Sequence, residues 1–262
     1  MKIVVCIKQV PDTTDVKIDS KTNTLIRKGV ESIINPYDMN ALEVALTMRE
    51  DYGGKVTVIS MGPPQVEESL KEAISLGVDD VILLSDRAFA GADTLATAYT
   101  LATGIEKIVG YDLILCGKQA IDGDTAQVGP GIAENLNIPH TTYVKEIRKV
   151  EEDSITVKKI IETGYEIIEM ELPALLTITK EINEPRLPSI RGVLRSREIK
   201  VPVWTADELI LDRDLIGLDG SPTQVVSVET PEIDVEGEMI SGTSEEQVAH
   251  LLESLSEQKV LG

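Results

Sequence analysis

Aromatic side chains are scarce in this sequence. They make up 3% of its 262 residues, with one Phe and one Trp, so the stacking platforms that hold the bases of single-stranded nucleic acid are lacking. Positive charge is also in short supply. The formal net charge is -20, and such a field repels DNA, RNA and anionic lipid surfaces. We therefore expect no nucleic-acid partner and a core built from aliphatic side chains.

Long apolar runs are absent as well. The N-terminal run IVVCI is far too short for a signal-peptide core or a membrane span, and no later run approaches the ~20 residues that a spanning helix needs. We predict a cytoplasmic protein with no membrane insertion.

Cysteine and histidine are rare too. Cys6 and Cys116 fall in predicted buried strands, where a free thiol behaves as a small hydrophobic side chain. His140 and His250 stand alone without ligand-like spacing. We expect two free thiols and no metal cluster.

What the sequence does contain is a regular alternation of short β-branched runs and longer periodic segments. Predicted strands lie at 3–7, 56–60, 81–84 and 113–117. Helical patterns between them cover 40–50, 66–77 and 93–109. This βαβ alternation predicts an α/β fold with a doubly wound, mostly parallel sheet.

The pattern changes after residue 140. Four β-like segments follow closely, at 141–147, 154–161, 165–172 and 174–179. We interpret them as an antiparallel β segment that closes with a further core strand at 174–179.

The C-terminal part is strongly acidic and rich in turn residues. One helix is predicted there, capped by Thr243 or Ser244 and carrying an apolar stripe of Val248, Leu251, Leu252 and Leu255. Such a segment cannot form a core alone. We expect a domain over residues 1–200 and an extended acidic arm over 201–262 that lies along this domain or a partner.

Four unusual segments follow strand ends or occupy neighbouring loops. They are CIKQVPD, SMGPPQ, SDRAFAGADT and GKQAIDGDTAQVG. Because ligands collect beyond the carboxyl ends of strands in an open parallel sheet, we predict that the four converge on one binding site.

The segment DGDTAQVG, residues 122–129, permits two interpretations. In the first, Asp122 or Asp124 caps the following helix. In the second, the free N–H groups of the helix start hold a phosphate, while Asp122 or Asp124 caps the turn or meets a ribose hydroxyl. The backbone left for anion contacts is then that of Ala126, Gln127 and Val128, and Gly123 and Gly129 permit close approach. No dinucleotide or P-loop fingerprint is present.

Two further segments offer a similar choice. In one interpretation, Asn35 before Pro36 forms a turn and Asp38 caps the next helix. In the other, both side chains hydrogen-bond a ligand. Asp93 is a suitable helix cap, yet Thr94 and Thr97 fall on one helix face where two hydroxyls could meet a polar ring.

Residues 183–200 are basic in an otherwise acidic chain. A solvated loop is the ordinary interpretation. The alternative is a docking loop, because Leu187 between Arg186 and Pro188 has the form of an apolar anchor ringed by charge.

These motifs resemble the β subunit of electron-transfer flavoproteins. The matching text is KQVPD, INPYDMNALE, MGPPQ, LGVDDVILL, GKQAIDGDTAQVGP, VKKIIETGYEIIEMELPALLTIT and NEPRLPSI, in order over roughly residues 1–200. The resemblance implies an adenine-nucleotide α-hydrolase-like fold and an α subunit that carries a redox FAD.

The resemblance also implies a nucleotide in the β subunit, which is AMP in ordinary members and a second FAD in electron-bifurcating ones. AGADT and DGDTAQVGP look like the bifurcating kind. The implied nucleotide contacts are Cys6, Asn35, Asp38, Met61 and the segment Asp122, Gly123, Asp124, Thr125, Ala126, Gln127 and Val128. Thr94 and Thr97 would lie near the second flavin.

The partners follow from the same resemblance. NADH would reduce the β-site flavin, whose electrons would go one to an acyl-CoA or other dehydrogenase by way of the α subunit and one to ferredoxin or flavodoxin. No side chain is predicted to be catalytic, because the cofactor carries the chemistry. Residues 183–194 match the family's docking loop, with Leu187 as the anchor among Arg186, Pro188, Ile190 and Arg191, although the loop is shorter than usual before its Leu-Pro. The tail would wrap the α subunit.

Two other functions compete. The first is a subunit with structural AMP, in which only the α-site flavin does redox work. The second is an ATP-consuming ligase or nucleotide sensor on the same scaffold. That function would require a Gly- and Ser-rich phosphate loop with a metal-binding acid pair, and KQVPD offers neither.

Overall fold

The structure is a computed structural model that describes residues 1–12, 32–226, 237 and 239–260, and the backbone of two short strands at 18–19 and 24–25. The chain divides into two compact units, Met1–Val226 and Ser227–Gly262. In this described part of the chain, no helix is long and apolar enough to cross a membrane.

The strands follow one another along the first unit. They are β1 (Lys2–Cys6), β2 (Gln9–Pro11), β3 (Ile18–Asp19), β4 (Thr24–Leu25), β5 (Ser32–Ile34), β6 (Lys55–Met61), β7 (Asp80–Leu84), β8 (Leu113–Gly117), β9 (His140–Val150), β10 (Ser154–Ile161), β11 (Gly164–Glu171), β12 (Ala174–Ile178) and β13 (Val203–Trp204).

The α-helices lie between and after these strands. They are α1 (Pro36–Tyr52), α2 (Glu67–Leu76), α3 (Thr94–Lys107), α4 (Val128–Leu136), α5 (Ile190–Glu198) and α6 (Ser244–Glu257). Short 3-10 helices occupy Pro64–Val66, Arg87–Phe89, Lys180–Ile182, Ala206–Glu208 and Arg213–Leu215.

A nine-stranded sheet organises the described residues of the first unit, in the order β11-β10-β9-β12-β8-β1-β6-β7-β13. Strands β9, β12, β8, β1, β6, β7 and β13 pair in parallel. At one edge, β10 pairs antiparallel with both β9 and β11. The predicted α/β fold, with a doubly wound, mostly parallel sheet and an antiparallel segment, is confirmed.

The core consists of two aliphatic layers, one on each face of the sheet. Alternate residues of β1 point to opposite faces: Ile3 and Val5 pack with α1 and α2, whereas Val4 and Cys6 pack with α3 and α4. Strand β8, which is buried throughout its apolar part, alternates in the same way. Both layers are therefore needed to bury a parallel sheet.

The predicted elements lie close to the observed ones. The strand predicted at 113–117 has those bounds, and Gly77 ends α2 in a left-handed conformation with φ 117°. Helix α1 begins at Pro36 rather than near residue 40, because proline suits the first turn of a helix, where its missing N–H costs nothing. The predicted core strand at 174–179 is β12, whose five residues are all buried.

The basic segment was only partly predicted. Its second half is helix α5, with Ser189 as N-cap accepting a hydrogen bond from the N–H of Gly192. Gly192 lets α5 approach α2 closely, since a Cβ there would lie 2.0 Å from the carbonyl oxygen of Ser75. A loop over the whole of 183–194 is therefore wrong, and residues 190–198 are helical.

The second unit contains helix α6. Thr243 is its N-cap, and Thr243 and Glu246 form a reciprocal capping box, so of the two predicted caps Thr243 is correct. Val248, Leu251 and Leu252 are 56%, 47% and 52% exposed. That the acidic arm packs on a partner stays a prediction.

Candidate functional site

A large cavity opens at the carboxyl ends of β1, β6, β7 and β8. Its volume is about 1140 Å³, at or beyond the top of the ~300–1,000 Å³ range of ordinary small-ligand pockets. Strand β1 lies between β8 and β6. The chain builds the sheet outward from β1 through β6 and β7 on one side, and then crosses back to add β8 on the other side. The cavity therefore occupies the topological switch point, where open α/β sheets bind their ligands.

The four segments singled out in the sequence line this cavity together. Of the predicted nucleotide contacts, all but one are in its wall. Those in the wall are Cys6, Asn35, Asp38, Met61, Thr94, Thr97, Gly123, Asp124, Thr125, Ala126, Gln127 and Val128. Asp122 does not line the cavity. Its carboxylate pairs instead with the ammonium group of Lys8 at 2.6 Å.

The loop before α4 is not capped by either aspartate. Helix α4 has Gln127 at its N-cap position and no side-chain capping bond. Asp122 is held by Lys8, and the carboxylate of Asp124 accepts a hydrogen bond from the side-chain amide of Gln119. The interpretation of Asp122 or Asp124 as helix caps is wrong, because both carboxylates find partners elsewhere.

The start of α4 consequently presents free backbone donors to the cavity. The N–H groups of Val128 and Gly129 have no intrahelical acceptor at a helix start. Ala126 is in a left-handed conformation with φ 55°, and Gln127 follows in the right-handed region with φ -109°. This succession makes a concave array of N–H groups that suits an anion. Such a φ at a non-glycine residue costs about 1 kcal/mol or more and is typical of functional sites.

Asn35 and Asp38 tie the cavity floor together. The Asn35 side chain donates to the carbonyl oxygen of Gln119 at 2.8 Å and accepts from the N–H of Ile121 at 3.1 Å. Asp38 accepts from the N–H of Lys8 at 2.7 Å and from the N–H of Gly117 at 3.0 Å. Asp38 is therefore not a helix cap, and it joins the ends of β1 and β8.

Burial raises the pKa of Asp38 to about 7, against the opposing effect of its hydrogen bonds to Lys8, Asn35 and Gly117. Its neighbour Cys116 lies in register with Cys6 on adjacent strands. The hydrogen bond with Cys6 and burial raise the pKa of the Cys116 thiol. Both cysteines are free thiols in the cavity floor, as the sequence predicts.

The opposite wall of the cavity is built by α3 and the loop before it. Asp93 caps α3 by accepting from the N–H groups of Leu95 at 2.9 Å and Ala96 at 3.1 Å, as predicted. Thr94 and Thr97 lie in the first turn and face the cavity. The cavity thus has an open helix start at α4 and a start at α3 that a carboxylate already occupies, so the α4 end suits phosphate and the α3 end suits an uncharged group.

The cavity also has lining residues that were not predicted from the sequence. Three cations line the cavity: Lys8, Arg87 and Lys118. The Lys118 ammonium group lies 4.9 Å from the centroid of the Tyr143 ring. These residues follow the same strand ends as the predicted ones, which is the signal that would have found them. Among the described residues, no cluster of His, Cys, Asp and Glu could hold a metal ion.

Two of the predicted docking residues, Leu187 and Ile190, are exposed apolar side chains at the start of α5, and Leu194 is a third that was not predicted. Leu187 is 88% exposed, Ile190 85% and Leu194 56%; we call these three residues the α5 patch. Pro188 and Arg191 are exposed beside it. The N–H of Ser189 donates to the carbonyl oxygen of Ser75, near the end of α2. The patch therefore lies toward the amino edge of the sheet, away from the cavity.

Arg186 has a different environment from the one expected of a rim charge. Its guanidinium pairs with Glu43 at 2.8 Å and with Glu50 at 2.5 Å, both on α1. Hydrogen bonds with Glu50 and Glu43 raise the pKa of Arg186 above its ordinary value. Arg186 thus joins the segment before the α5 patch to α1. For Arg191, no acceptor is found among the described residues.

The fold and the cavity define an α/β protein with a ligand site at the switch point of its sheet. Comparison with known proteins narrows this class. A family model described as electron transfer flavoprotein domain matches residues 22–209. The chain belongs to the electron transfer flavoprotein family.

The chain also resembles individual proteins over most or all of its length. The chain is 55% identical to the electron transfer flavoprotein subunit beta of Thermoanaerobacterium thermosaccharolyticum over 262 residues, which is 100% of each chain. It is 50% identical over 260 residues to the caffeyl-CoA reductase-Etf complex subunit CarD of Acetobacterium woodii, covering 99% of each. It is 48% identical over 238 residues to the protein FixA of Azorhizobium caulinodans, covering 88% of this chain and 85% of FixA. A β subunit implies pairing with an α subunit.

Proposed function

We propose that this β subunit binds FAD in the cavity and, with its α subunit, takes electrons from NADH and divides them between a dehydrogenase and a low-potential acceptor such as ferredoxin or flavodoxin. The observation that carries the proposal is the extent of one cavity of about 1140 Å³ from the start of α4 to the start of α3. A mononucleotide with its phosphate at α4 leaves the α3 end unused, whereas a dinucleotide reaches both.

The residues present fit such a ligand. The N–H groups of Ala126, Gln127, Val128 and Gly129 would hold phosphate oxygens, because they form a concave donor array at an uncapped helix start. The carboxylate of Asp122 does not oppose an anion there, since Lys8 neutralises it.

The α3 end would hold the ring system. The hydroxyls of Thr94 and Thr97 can donate to ring carbonyl oxygens or accept from ring N–H groups. Apolar walls come from side chains such as Met61, Phe89 and Leu101, which exclude water from that end. FAD supplies the exchange between two-electron and one-electron transfer when bound, and the chain supplies placement and electrostatics.

Asn35 and Asp38 would act on the site indirectly. Their hydrogen bonds to Gln119, Ile121, Lys8 and Gly117 fix the loops from which the phosphate donors project. In this proposal they are positioning residues.

The α5 patch would dock the dehydrogenase. Three exposed aliphatic side chains on one helix start, held by the Arg186 ion pairs, form a small rigid apolar anchor. An acyl-CoA dehydrogenase is the partner we favour, because the relative in Acetobacterium woodii bears the name of a caffeyl-CoA reductase complex. In the arm predicted over 201–262, helix α6 would pack on the α subunit, since residues 205–223 already lie along α3.

The nucleotide content of the purified αβ complex tests the proposal. Denaturing the complex and separating the released nucleotides by chromatography should give two FAD and no AMP per heterodimer. One FAD and one AMP would overturn it in favour of a β subunit with structural AMP. Reduction of the complex by NADH, followed by the flavin absorbance, tests the electron donor in the same preparation.

A further inference from the structure

A segment distant in the sequence packs against the α3 wall of the cavity, on the side that faces away from the cavity. We call residues 205–223 the strap and residues 85–93 the rim loop. The strap runs along α3, where the N–H of Asp212 donates to the Tyr99 hydroxyl at 2.8 Å and the Lys107 ammonium group donates to the carbonyl oxygen of Glu208 at 2.9 Å. Ile216 of the strap is buried against the same aliphatic layer as Phe89 of the rim loop.

Asp93 is the point where the strap meets the cavity wall. One carboxylate oxygen caps α3 through the N–H groups of Leu95 and Ala96. The other accepts from the Thr223 hydroxyl at 2.7 Å and from the Thr223 N–H at 3.0 Å. The N–H of Asp93 donates to the Ser221 hydroxyl at 2.8 Å. A single residue therefore couples the first turn of α3 to the end of the strap.

The strap also fixes the other end of the rim loop. The N–H of Ala206 donates to Asp86 at 3.0 Å, and the second oxygen of Asp86 accepts from Ala88 at 3.0 Å. Between these points the two segments pack closely, since a Cβ on Gly217 would lie 2.1 Å from the carbonyl oxygen of Ala88. The strap thus contacts the rim loop near both of its ends, at Asp86 and Asp93, and between them at Ala88.

The strap does not itself line the cavity, whereas much of the rim loop and the first turn of α3 do. Any effect of Ser221 and Thr223 on a ligand must therefore pass through Asp93 and the threonines that follow it. Among the residues that the structure describes, no hydrogen bond joins the start of α4 to the strap. Its anchors are Asn35, Asp38 and Lys8.

We propose that Ser221 and Thr223 are positioning residues that make the site selective for a dinucleotide over a mononucleotide, because they hold Asp93 and with it the α3 wall. The inference rests on the proposed function and deepens it by naming what sets the choice of ligand. Without the hydrogen bonds of Ser221 and Thr223 with Asp93, a ligand that reaches α3 must order the rim loop when it binds. The free-energy cost of that ordering lowers the affinity of the ligand for the cavity. The affinity of a ligand confined to the α4 end does not depend on these hydrogen bonds.

Thr223→Val tests the inference because valine keeps the shape and the N–H but removes the hydroxyl donor. Ser221→Ala removes the second contact, and Thr223→Ser is the matched control that keeps a hydroxyl. Each variant αβ complex is stripped of its β-site nucleotide, and the dissociation constants of FAD and of AMP are measured separately. We expect FAD to bind on the order of tenfold more weakly to Thr223→Val and to the double variant, as lost hydrogen bonds to a partly exposed carboxylate would give. AMP should bind within twofold of the parent, and Thr223→Ser should resemble the parent.

The ratio of the two constants separates positioning from general damage. An equal loss for FAD and AMP, or no loss for either, would overturn the inference while leaving the proposed function in place. A parent complex that binds AMP but shows no measurable binding of FAD would contradict the proposed function and this inference together.

Discussion

Truncation of Leu187 to alanine is the most direct test of the α5 patch. The side chain is 88% exposed, so it contributes little to folding, and a surface substitution of this kind usually changes the free energy of unfolding by less than ~0.5 kcal/mol. A solvated loop therefore predicts no effect on stability or on function. A docking site predicts a large effect on function alone.

The expected magnitude follows from the exposure. Burying a leucine side chain that is almost fully exposed gains ~1.5–3 kcal/mol, and alanine forfeits most of it. A loss of about 2 kcal/mol corresponds to roughly a thirtyfold weaker complex. The ordering cost on binding is small because the Ser189 cap and the Arg186 ion pairs already fix the backbone on both sides.

The assay is electron transfer from the reduced αβ complex to a purified acyl-CoA dehydrogenase, measured against dehydrogenase concentration. Leu187→Ala should raise the half-saturating concentration about thirtyfold, with flavin content and reduction by NADH unchanged. Val109→Ala is the control, since Val109 is 83% exposed and precedes β8 at the opposite end of that strand from the cavity. Equal half-saturation for Leu187→Ala, Val109→Ala and the parent would refute the docking role.

Three further predictions concern the cavity and the base of the patch. Gly129→Ala should weaken nucleotide binding and destabilise the protein by ~1–3 kcal/mol, because its Cβ would lie 2.7 Å from the Thr177 methyl group. Gly123→Ala should bind normally, because its Cβ would lie 3.8 Å from the Lys8 ammonium nitrogen, an ordinary contact distance. Equal binding by both variants would contradict this. Since burial raises the folded-state pKa of Asp38 from 3.8 to about 7, its stabilising contribution is full below about pH 4 and is lost as the pH rises through 7. The difference in unfolding free energy between the parent complex and Asp38→Asn should fall over that range by up to about 4 kcal/mol, and a pH-independent difference in denaturant unfolding would count against it. Arg186→Ala should cost up to about 1 kcal/mol of stability, whereas Arg191→Ala should change only the rate of dehydrogenase association and its salt dependence. The reverse pattern, by thermal unfolding and stopped-flow association, would show that the two roles are misassigned.

The sequence by itself determined the class of fold. Short, nearly continuous runs of Val, Ile and Leu alternate with helical patterns. This signal is local, because burial on both faces of a parallel strand dictates its composition. The position of the cavity follows from the same pattern, since residues after successive parallel strands must meet at one edge of the sheet. The resemblance to the family followed from several motifs in the same order along the chain. No single motif would have established it.

The tertiary structure decided what each polar side chain does. Asp122 and Asp124 precede a helix and look like caps, yet Asp122 binds Lys8, 114 residues away in the chain. Arg186 beside Leu187 looks like a rim charge, yet it is fastened to two glutamates of α1. Thr223 gave no signal in the sequence, although it meets Asp93 across 130 residues. A carboxylate or guanidinium can satisfy its hydrogen bonds locally or across the fold, and local sequence fixes only the first possibility. The second depends on which strand ends the fold brings together.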